Sequence, residues 1–291
     1  MIKGTIIKGI GGFYYVKTDE KIYECKARGR FRKEKISPLV GDHVHISVNA
    51  VSQQGVIEEI LDRKTELIRP PVANVDQAVI VFAIQQPDPK LSLLDRFLVL
   101  AENEDLDALI CFNKIDLGAQ SELKRLKELY EQIGYPVIAT STKAQIGIDV
   151  LKARLKDQTT VFAGPSGVGK SSLLNSLQPN LALETGEISQ KIERGKHTTR
   201  HVELLYLDLG GWVLDTPGFS SLQIDFIEKE DLQYLFKEFN ACLHDCKFQP
   251  CNHVNEPGCA VKRALEEGVI QQSRYDSYLQ LLEEIEQARR Y

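Results

Sequence analysis

Residues 164–171 read Gly164-Pro165-Ser166-Gly167-Val168-Gly169-Lys170-Ser171 and match G-x-x-x-x-G-K-[ST] in full. An apolar run, Thr160-Val161-Phe162-Ala163, precedes them, and a helical run from Ser172 to Leu177 follows. A phosphate cradle needs that strand, loop and helix order. Its glycines let backbone N–H groups and the helix N-terminus turn toward phosphate oxygens. Lys170 is expected to neutralise the β- and γ-oxygens and Ser171 to ligate Mg²⁺, with Ser172 beside it in the nucleotide contact.

A second motif addresses the base. Phe112-Asn113-Lys114-Ile115-Asp116 follows the apolar run Ala108-Leu109-Ile110-Cys111 and matches N-K-x-D. The Asp116 carboxylate can accept hydrogen bonds from the N1–H and exocyclic amine of guanine, whereas adenine has no donor at N1. Asn113 is expected to brace the loop and the Lys114 stem to cover the base. Downstream, Ala139-Thr140-Ser141-Thr142-Lys143 is similar to the S-A-K loop of GTPases, so Ser141 and Thr142 join the base-binding set. Each of these short matches is ordinary turn chemistry alone, and their combination carries the reading.

Asp215-Thr216-Pro217-Gly218 matches D-x-x-G, in which Asp215 would hold a Mg²⁺-bound water and the Gly218 N–H would meet the γ-phosphate. Between it and the cradle lies Gly195-Lys196-His197-Thr198-Thr199-Arg200, where a switch loop belongs. Thr199 best fits the Mg²⁺-sensing threonine, with Thr198 the alternative. Phe219 stands where Ras-like enzymes carry the glutamine that orients water, and its apolar side chain cannot do so. Either another group, with His197 the nearest titratable candidate, supplies that function, or turnover waits for a partner.

The motifs are out of the usual order. Ras-like chains meet the phosphate loop first and the guanine motif late, but here Asn113 and Ser141 precede Gly164. Because these loops share one edge of a sheet, permutation moves the termini and leaves the site geometry intact.

Cys246, Cys251, His253 and Cys259 supply three thiolates and an imidazole in one short stretch, the donor set of a closed structural zinc site. Cys242 and His244 compete for the same ion. A basic run, Lys26-Ala27-Arg28-Gly29-Arg30-Phe31-Arg32-Lys33-Glu34-Lys35, has an aromatic inside it, the composition expected where phosphates and an unstacked base are met.

Positioning these residues requires three kinds of structure. Five short alternating runs up to Ile60 suggest a small barrel over residues 1–67. After Arg69-Pro70-Pro71, continuous apolar strands alternate with amphipathic helices, the grammar of a parallel sheet covered on both faces, over 68–222. One helix should be capped by Ser121 and end at Gly134. A mostly helical segment over 223–291 carries the Cys/His cluster. The whole reads as a multidomain α/β chain.

The 291 residues are 43% hydrophobic, enough for one large core with smaller satellites. No stretch approaches the roughly 18–20 apolar residues needed to cross a bilayer, so a cytoplasmic protein without membrane attachment is expected. The formal charge of −5 excludes a general polyanion binder and confines any nucleic-acid contact to a local patch.

Taken together, the permuted motifs and the segment ending Glu256-Pro257-Gly258-Cys259-Ala260 resemble the RsgA (YjeQ) family of bacterial circularly permuted GTPases that assist assembly of the small ribosomal subunit. The resemblance covers essentially the whole chain. It implies an N-terminal OB-fold that binds ribosomal RNA, a G domain whose GTP hydrolysis to GDP and phosphate is stimulated by the small subunit and drives release, and zinc held by Cys246, Cys251, His253 and Cys259. The implied partners are the 30S subunit and its 16S rRNA, met by a monomer. Rival readings are a nucleotide-gated rRNA-binding module with incidental turnover, and an ATP-using kinase or ATPase on the same phosphate loop.

Overall fold

The computed structural model describes residues 1–49, 52–68, 70–178, 202–214 and 222–289. Five N-terminal strands close into a barrel: β1 (Ile2–Ile10), β2 (Phe13–Lys17), β3 (Ile22–Ala27), β4 (His43–Val48) and β5 (Gly55–Ile60), in the order β1-β2-β3-β5-β4. Alternation is the cause. Along β3 and β4 the side chains of Tyr23, Cys25, Val44 and Ile46 point inward while Ile22, Glu24 and His43 face water. Closure is parallel only at β3–β5, where Cys25 lies opposite Gly55; a Cβ on Gly55 would come within 2.3 Å of the Cys25 sulfur. A short helix α1 (Gly29–Lys33) follows β3.

At the Pro70-Pro71 interruption two further strands pair antiparallel, β6 (Glu66–Ile68) with β7 (Pro71–Ala73). Pro71 is tolerated because it opens its strand, where a missing N–H costs least. The fully buried Asp42 ties the segment before β6 to the barrel, accepting from Arg63 Nε at 2.7 Å and from the Leu39 N–H at 2.7 Å.

A second sheet has six strands in the order β10-β9-β8-β11-β13-β12. They are β8 (Gln77–Ala83), β9 (Asp107–Asn113), β10 (Val137–Ala139), β11 (Thr159–Ala163), β12 (Leu204–Tyr206) and β13 (Trp212–Leu214). Every residue of β8 is buried, as expected of a strand covered on both faces. β9 and β10 pair in parallel, as do β11 and β13, and β12 returns antiparallel to β13 as the expected hairpin.

Helices connect the strands: α2 (Leu91–Asn103), α3 (Gln120–Ile133), α4 (Ile148–Leu155) and α5 (Lys170–Leu177). The expected cap of α3 is corrected here. Ala119, in an extended conformation, is the N-cap without a side-chain hydrogen bond, and Ser121 already lies inside the first turn, where its helical backbone prevents a capping role. Glu122 in that turn offsets the helix dipole, and Gly134 ends the helix at φ 104° as expected. Among the described residues, three short 3-10 turns precede α6 (Ala260–Glu266) and α7 (Gln272–Ala288). No described helix is long and apolar enough to cross a membrane.

The chain divides into two compact units. The first holds the barrel, the β6–β7 hairpin, α4, most of β11 and the β12–β13 hairpin. Within it Lys8 of β1 bridges to Glu203, just before β12, with an ion pair of 2.5 Å. The second unit holds most of β8, together with β9, β10, α2, α3, residues 163–170 and the C-terminal helices. Its centre is a buried polar knot. Asp95 of α2 accepts from Arg274 Nη1 at 2.7 Å, Ser277 Oγ at 2.6 Å and Tyr130 OH at 2.9 Å, and Arg274 also meets Glu238 at 2.6 Å. Asp95 and Arg274 are completely shielded from solvent, so each charge depends on the other.

Candidate nucleotide site and metal centre

The phosphate loop folds as its glycines dictate. Gly164 leaves β11 at φ 131°, and a Cβ there would lie 2.1 Å from the Val81 carbonyl oxygen. Gly169, at φ 95°, sits so close to Asn113 that a Cβ would approach its Nδ2 to 2.5 Å. Only glycine fits either position. Helix α5 starts at Lys170, which places Ser171 and Ser172 in its first turn. Ser166 and Gly167 are exposed, while Val168 turns inward and is buried.

Lys170 points back over the loop, its ammonium donating to the carbonyl oxygens of Gly164 and Pro165 at 2.8 Å each. Burial without a full counter-charge pulls its pKa down to about 8. The group therefore has an unmet preference for anions.

Asn113 closes β9 and is buried. Its Nδ2 donates to the Val168 carbonyl at 2.9 Å, and its Oδ1 accepts from Thr140 Oγ1 at 3.0 Å. The expected bracing role thus has a geometry: one carboxamide ties the N-K-x-D loop to both the phosphate loop and the end of β10. Ser141 Oγ donates to Asp116 Oδ1 at 2.5 Å and accepts the Ala144 N–H at 3.0 Å. That hydrogen bond, with Lys143 and Lys114 nearby, holds the exposed Asp116 carboxyl below the usual carboxylate range. Thr142 follows, half-buried.

Two participants were not visible in the sequence. Thr140 lies buried between Asn113 and the Cys111 sulfur, and Gln86 presents a carbonyl that accepts from the Lys114 ammonium. Gln86 and Lys114 both have left-handed backbones, at φ 55° and 59°. A non-glycine residue at positive φ could have been sought only from the structure. His197, Thr198, Thr199, Asp215, Gly218 and Phe219 lie outside the described residues.

The thiol and imidazole cluster assembles as the spacing suggested. One ligand atom from each of Cys246, Cys251, His253 and Cys259 lies within 4.8 Å of the others, and all four residues are buried. Ligand atoms of a tetrahedral zinc stand about 3.8 Å apart, so the set fits a closed four-coordinate site with little adjustment. Cys242 and His244 are outside it: the Cys242 thiol meets the Phe239 carbonyl at 3.2 Å, and His244 is exposed. Burial pushes the Cys251 and Cys259 thiols up, a direction that a cation between them would reverse.

A framework unseen in the sequence holds this loop. Glu256 accepts the N–H groups of Asn252, Val254 and Asn255 at 2.9–3.0 Å, and the hydroxyls of Tyr275 and Tyr278 reach the carbonyls of His253 and Asn252 at 2.6 and 3.0 Å. His253 is thereby kept at φ 61°, a conformation costing roughly 1–3 kcal/mol for a non-glycine residue.

The basic run is only partly what its composition promised. Lys26, Arg28, Arg30, Arg32, Lys33 and Lys35 are all exposed, with Arg28 paired to Glu58 at 2.7 Å. Phe31 is a correction: it is 4% exposed, packed inward as the apolar face of α1, so it is unable to stack on a base. A five-residue helix needs one buried anchor, and Phe31 is the sole buried residue of α1.

A phosphate cradle and a guanine motif joined by one carboxamide, at the ends of strands in a sheet whose guanine-motif strand precedes its phosphate-loop strand in the chain, define a circularly permuted GTPase. Residues 60–225 match the RsgA GTPase family and residues 3–57 the RsgA N-terminal domain. The chain is 56% identical to the small ribosomal subunit biogenesis GTPase RsgA of Alkaliphilus metalliredigens, covering all of both chains, and 55% identical to that of Clostridium perfringens, covering 98% of each. Among solved structures, that of YloQ, described as a circularly permuted GTPase, superposes with a TM-score of 0.84 at 45% identity over 99% of this chain and 96% of that one. YjeQ from Thermotoga maritima superposes with a TM-score of 0.86 at 39% identity over 98% of each. The chain belongs to the RsgA GTPase family, and it is a GTP-hydrolysing enzyme.

Proposed function

We propose that this GTPase acts on the small ribosomal subunit late in its assembly: it docks in the GTP state, is stimulated by the subunit, and leaves once GTP has become GDP and phosphate. The observation that supports the nucleotide site in this reading is the 2.9 Å hydrogen bond from Asn113 to Val168, which ties the base loop to the phosphate loop. The names of the full-length relatives supply the small subunit. A 16S rRNA contact is supported by the exposed basic side chains around α1 and works through phosphates, since Phe31 is unavailable for stacking.

In this reading Asp116 and the Ser141–Thr142 loop recognise guanine, Asn113 and Lys114 brace them, and Gly164 to Ser172 wrap the phosphates. Lys170 exchanges its two carbonyl partners for phosphate oxygens and stabilises charge on the transferring group. Ser171 and Thr199, with Asp215, would hold Mg²⁺, which would supply positive charge at the phosphates when bound. Zinc held by Cys246, Cys251, His253 and Cys259 is structural, because a filled Cys3His set leaves no open position. The working division is an RNA-binding barrel over 1–67, a G domain over 68–222 and a zinc-binding segment over 223–291, in a cytoplasmic monomer.

The test is steady-state GTP hydrolysis with isolated small subunits, large subunits or neither. Strong stimulation by small subunits alone is expected. No stimulation, with tight nucleotide-dependent binding, would instead establish an RNA-binding module whose turnover is incidental.

A further inference from the structure

We infer that Gln233 is the positioning residue of the metal centre: its carboxamide oxygen fixes the His253 ring so that Nδ1, and not Nε2, is the ligand atom. The inference rests on the reading of Cys246, Cys251, His253 and Cys259 as a zinc site.

His253 Nδ1 faces the sulfurs, 3.3 Å from Cys259 Sγ and 3.7 Å from Cys246 Sγ. Its Nε2 faces away from them and lies 2.9 Å from Gln233 Oε1. A carboxamide could in principle present either its oxygen or its NH₂ there. Here the choice is forced, because the Gln233 nitrogen lies 2.8 Å from the Glu230 carbonyl oxygen, which can only accept. The oxygen must therefore face His253, and Nε2 must carry the proton. A neutral imidazole has one N–H and one lone pair, so the lone pair is on Nδ1, aimed into the thiol cluster. This is the arrangement by which an outer partner orients a metal-binding histidine and raises its basicity.

Among the described residues, Gln233 is the polar partner of Nε2. The Tyr275 hydroxyl holds the His253 carbonyl, and the rings of Phe239 and Tyr278 pack at 5.9 and 6.0 Å. Gln233 sits in the 3-10 turn Leu232–Leu235, on the stretch of chain entered from Gly218. The residue that sets the metal ligand is thus carried by the segment leaving the D-x-x-G motif, and not by the Cys/His loop itself.

The experiment uses the full-length chain with Gln233→Leu, which keeps the volume and removes the acceptor, and Gln233→Glu, which keeps an acceptor. Zinc affinity is measured by competition with a chromophoric chelator. The ring nitrogens of the zinc-loaded wild type are assigned by long-range ¹H–¹⁵N correlation after histidine-selective labelling. Expected are a loss of about 10–100-fold in zinc affinity for the leucine variant, recovery to near wild type in the glutamate variant, and a metal shift on Nδ1 with the proton retained on Nε2. GDP affinity should be unchanged in both and serves as the control for folding. A leucine variant with wild-type zinc affinity, or a metal-bound Nε2, overturns the inference. The nitrogen assignment stands on the wild type even if a variant fails to fold. Wild-type protein without stoichiometric zinc would overturn the zinc-site reading itself.

Discussion

The carboxamide of Asn113 donates to the carbonyl of Val168 while accepting from Thr140 Oγ1, so three loops meet on one buried side chain. Gly169 makes room for it at a distance no other residue could allow. Permutation has moved the guanine motif ahead of the phosphate loop in the chain without separating them in space.

Removing that carboxamide should loosen both ends of the receptor together. Asn113→Ala leaves the Val168 carbonyl and the Thr140 hydroxyl without their partner, at a cost of about 1–3 kcal/mol. We expect GDP affinity to fall about 10–100-fold by isothermal calorimetry. Asn113→Asp, which keeps the acceptor toward Thr140 but loses the donor toward Val168, should not restore it.

Lys170 gives nucleotide binding a pH dependence. Burial lowers its pKa in the free protein to about 8, and bound phosphate must raise it, since an adjacent anion favours the charged form. Below about pH 8 the lysine is already protonated and affinity is at its full value. Above it, binding requires proton uptake, and affinity falls by up to about tenfold per pH unit. Calorimetry in buffers of different ionisation enthalpy near pH 8.5 should show that uptake in the wild type and not in Lys170→Arg, whose guanidinium stays charged.

The knot at Asp95 is a stability prediction separate from the chemistry. Asp95→Ala leaves the buried Arg274 with Glu238 as its remaining counter-charge and the Tyr130 and Ser277 hydroxyls without their acceptor, and should cost about 3–5 kcal/mol in denaturant unfolding. Arg274→Met with Asp95→Leu, which removes that pair of charges and leaves Glu238 at the edge of the knot, should recover part of the loss. Equal destabilisation by the single and double variants would show that packing, and not charge, governs the site.

Much of this architecture was legible in the residues, for identifiable reasons. Barrel strands announced themselves by alternation, and β8, β9 and β11 by unbroken apolar runs, because burial on one or two faces writes directly into local sequence. Nucleotide and metal motifs were legible because their chemistry demands fixed residue types at short spacing. Long-range partnerships left no such trace. Asp95 and Arg274 look unremarkable in their own stretches of chain, and nothing around the singled-out Asn113 or His253 announces Val168 or Gln233 as its partner. Phe31 shows the opposite limit: composition placed an aromatic among basic residues, and only packing decides that it faces the core. The cap of α3 failed because Ala119 already has the extended backbone that an N-cap needs, so the helix starts before Ser121.

Asp116 tests the central claim most directly. Its exposed carboxylate, held below the usual carboxylate range by the Ser141 hydroxyl, is the group proposed to accept the N1–H and amine of guanine. Affinities for GDP, XDP and ADP should be measured by calorimetry for the wild type and Asp116→Asn. The wild type should strongly prefer GDP, and the variant should lose that preference and gain XDP, whose second carbonyl an amide can meet. An Asp116→Asn protein that still selects GDP over XDP, or a wild type that binds ADP as well as GDP, would contradict the account.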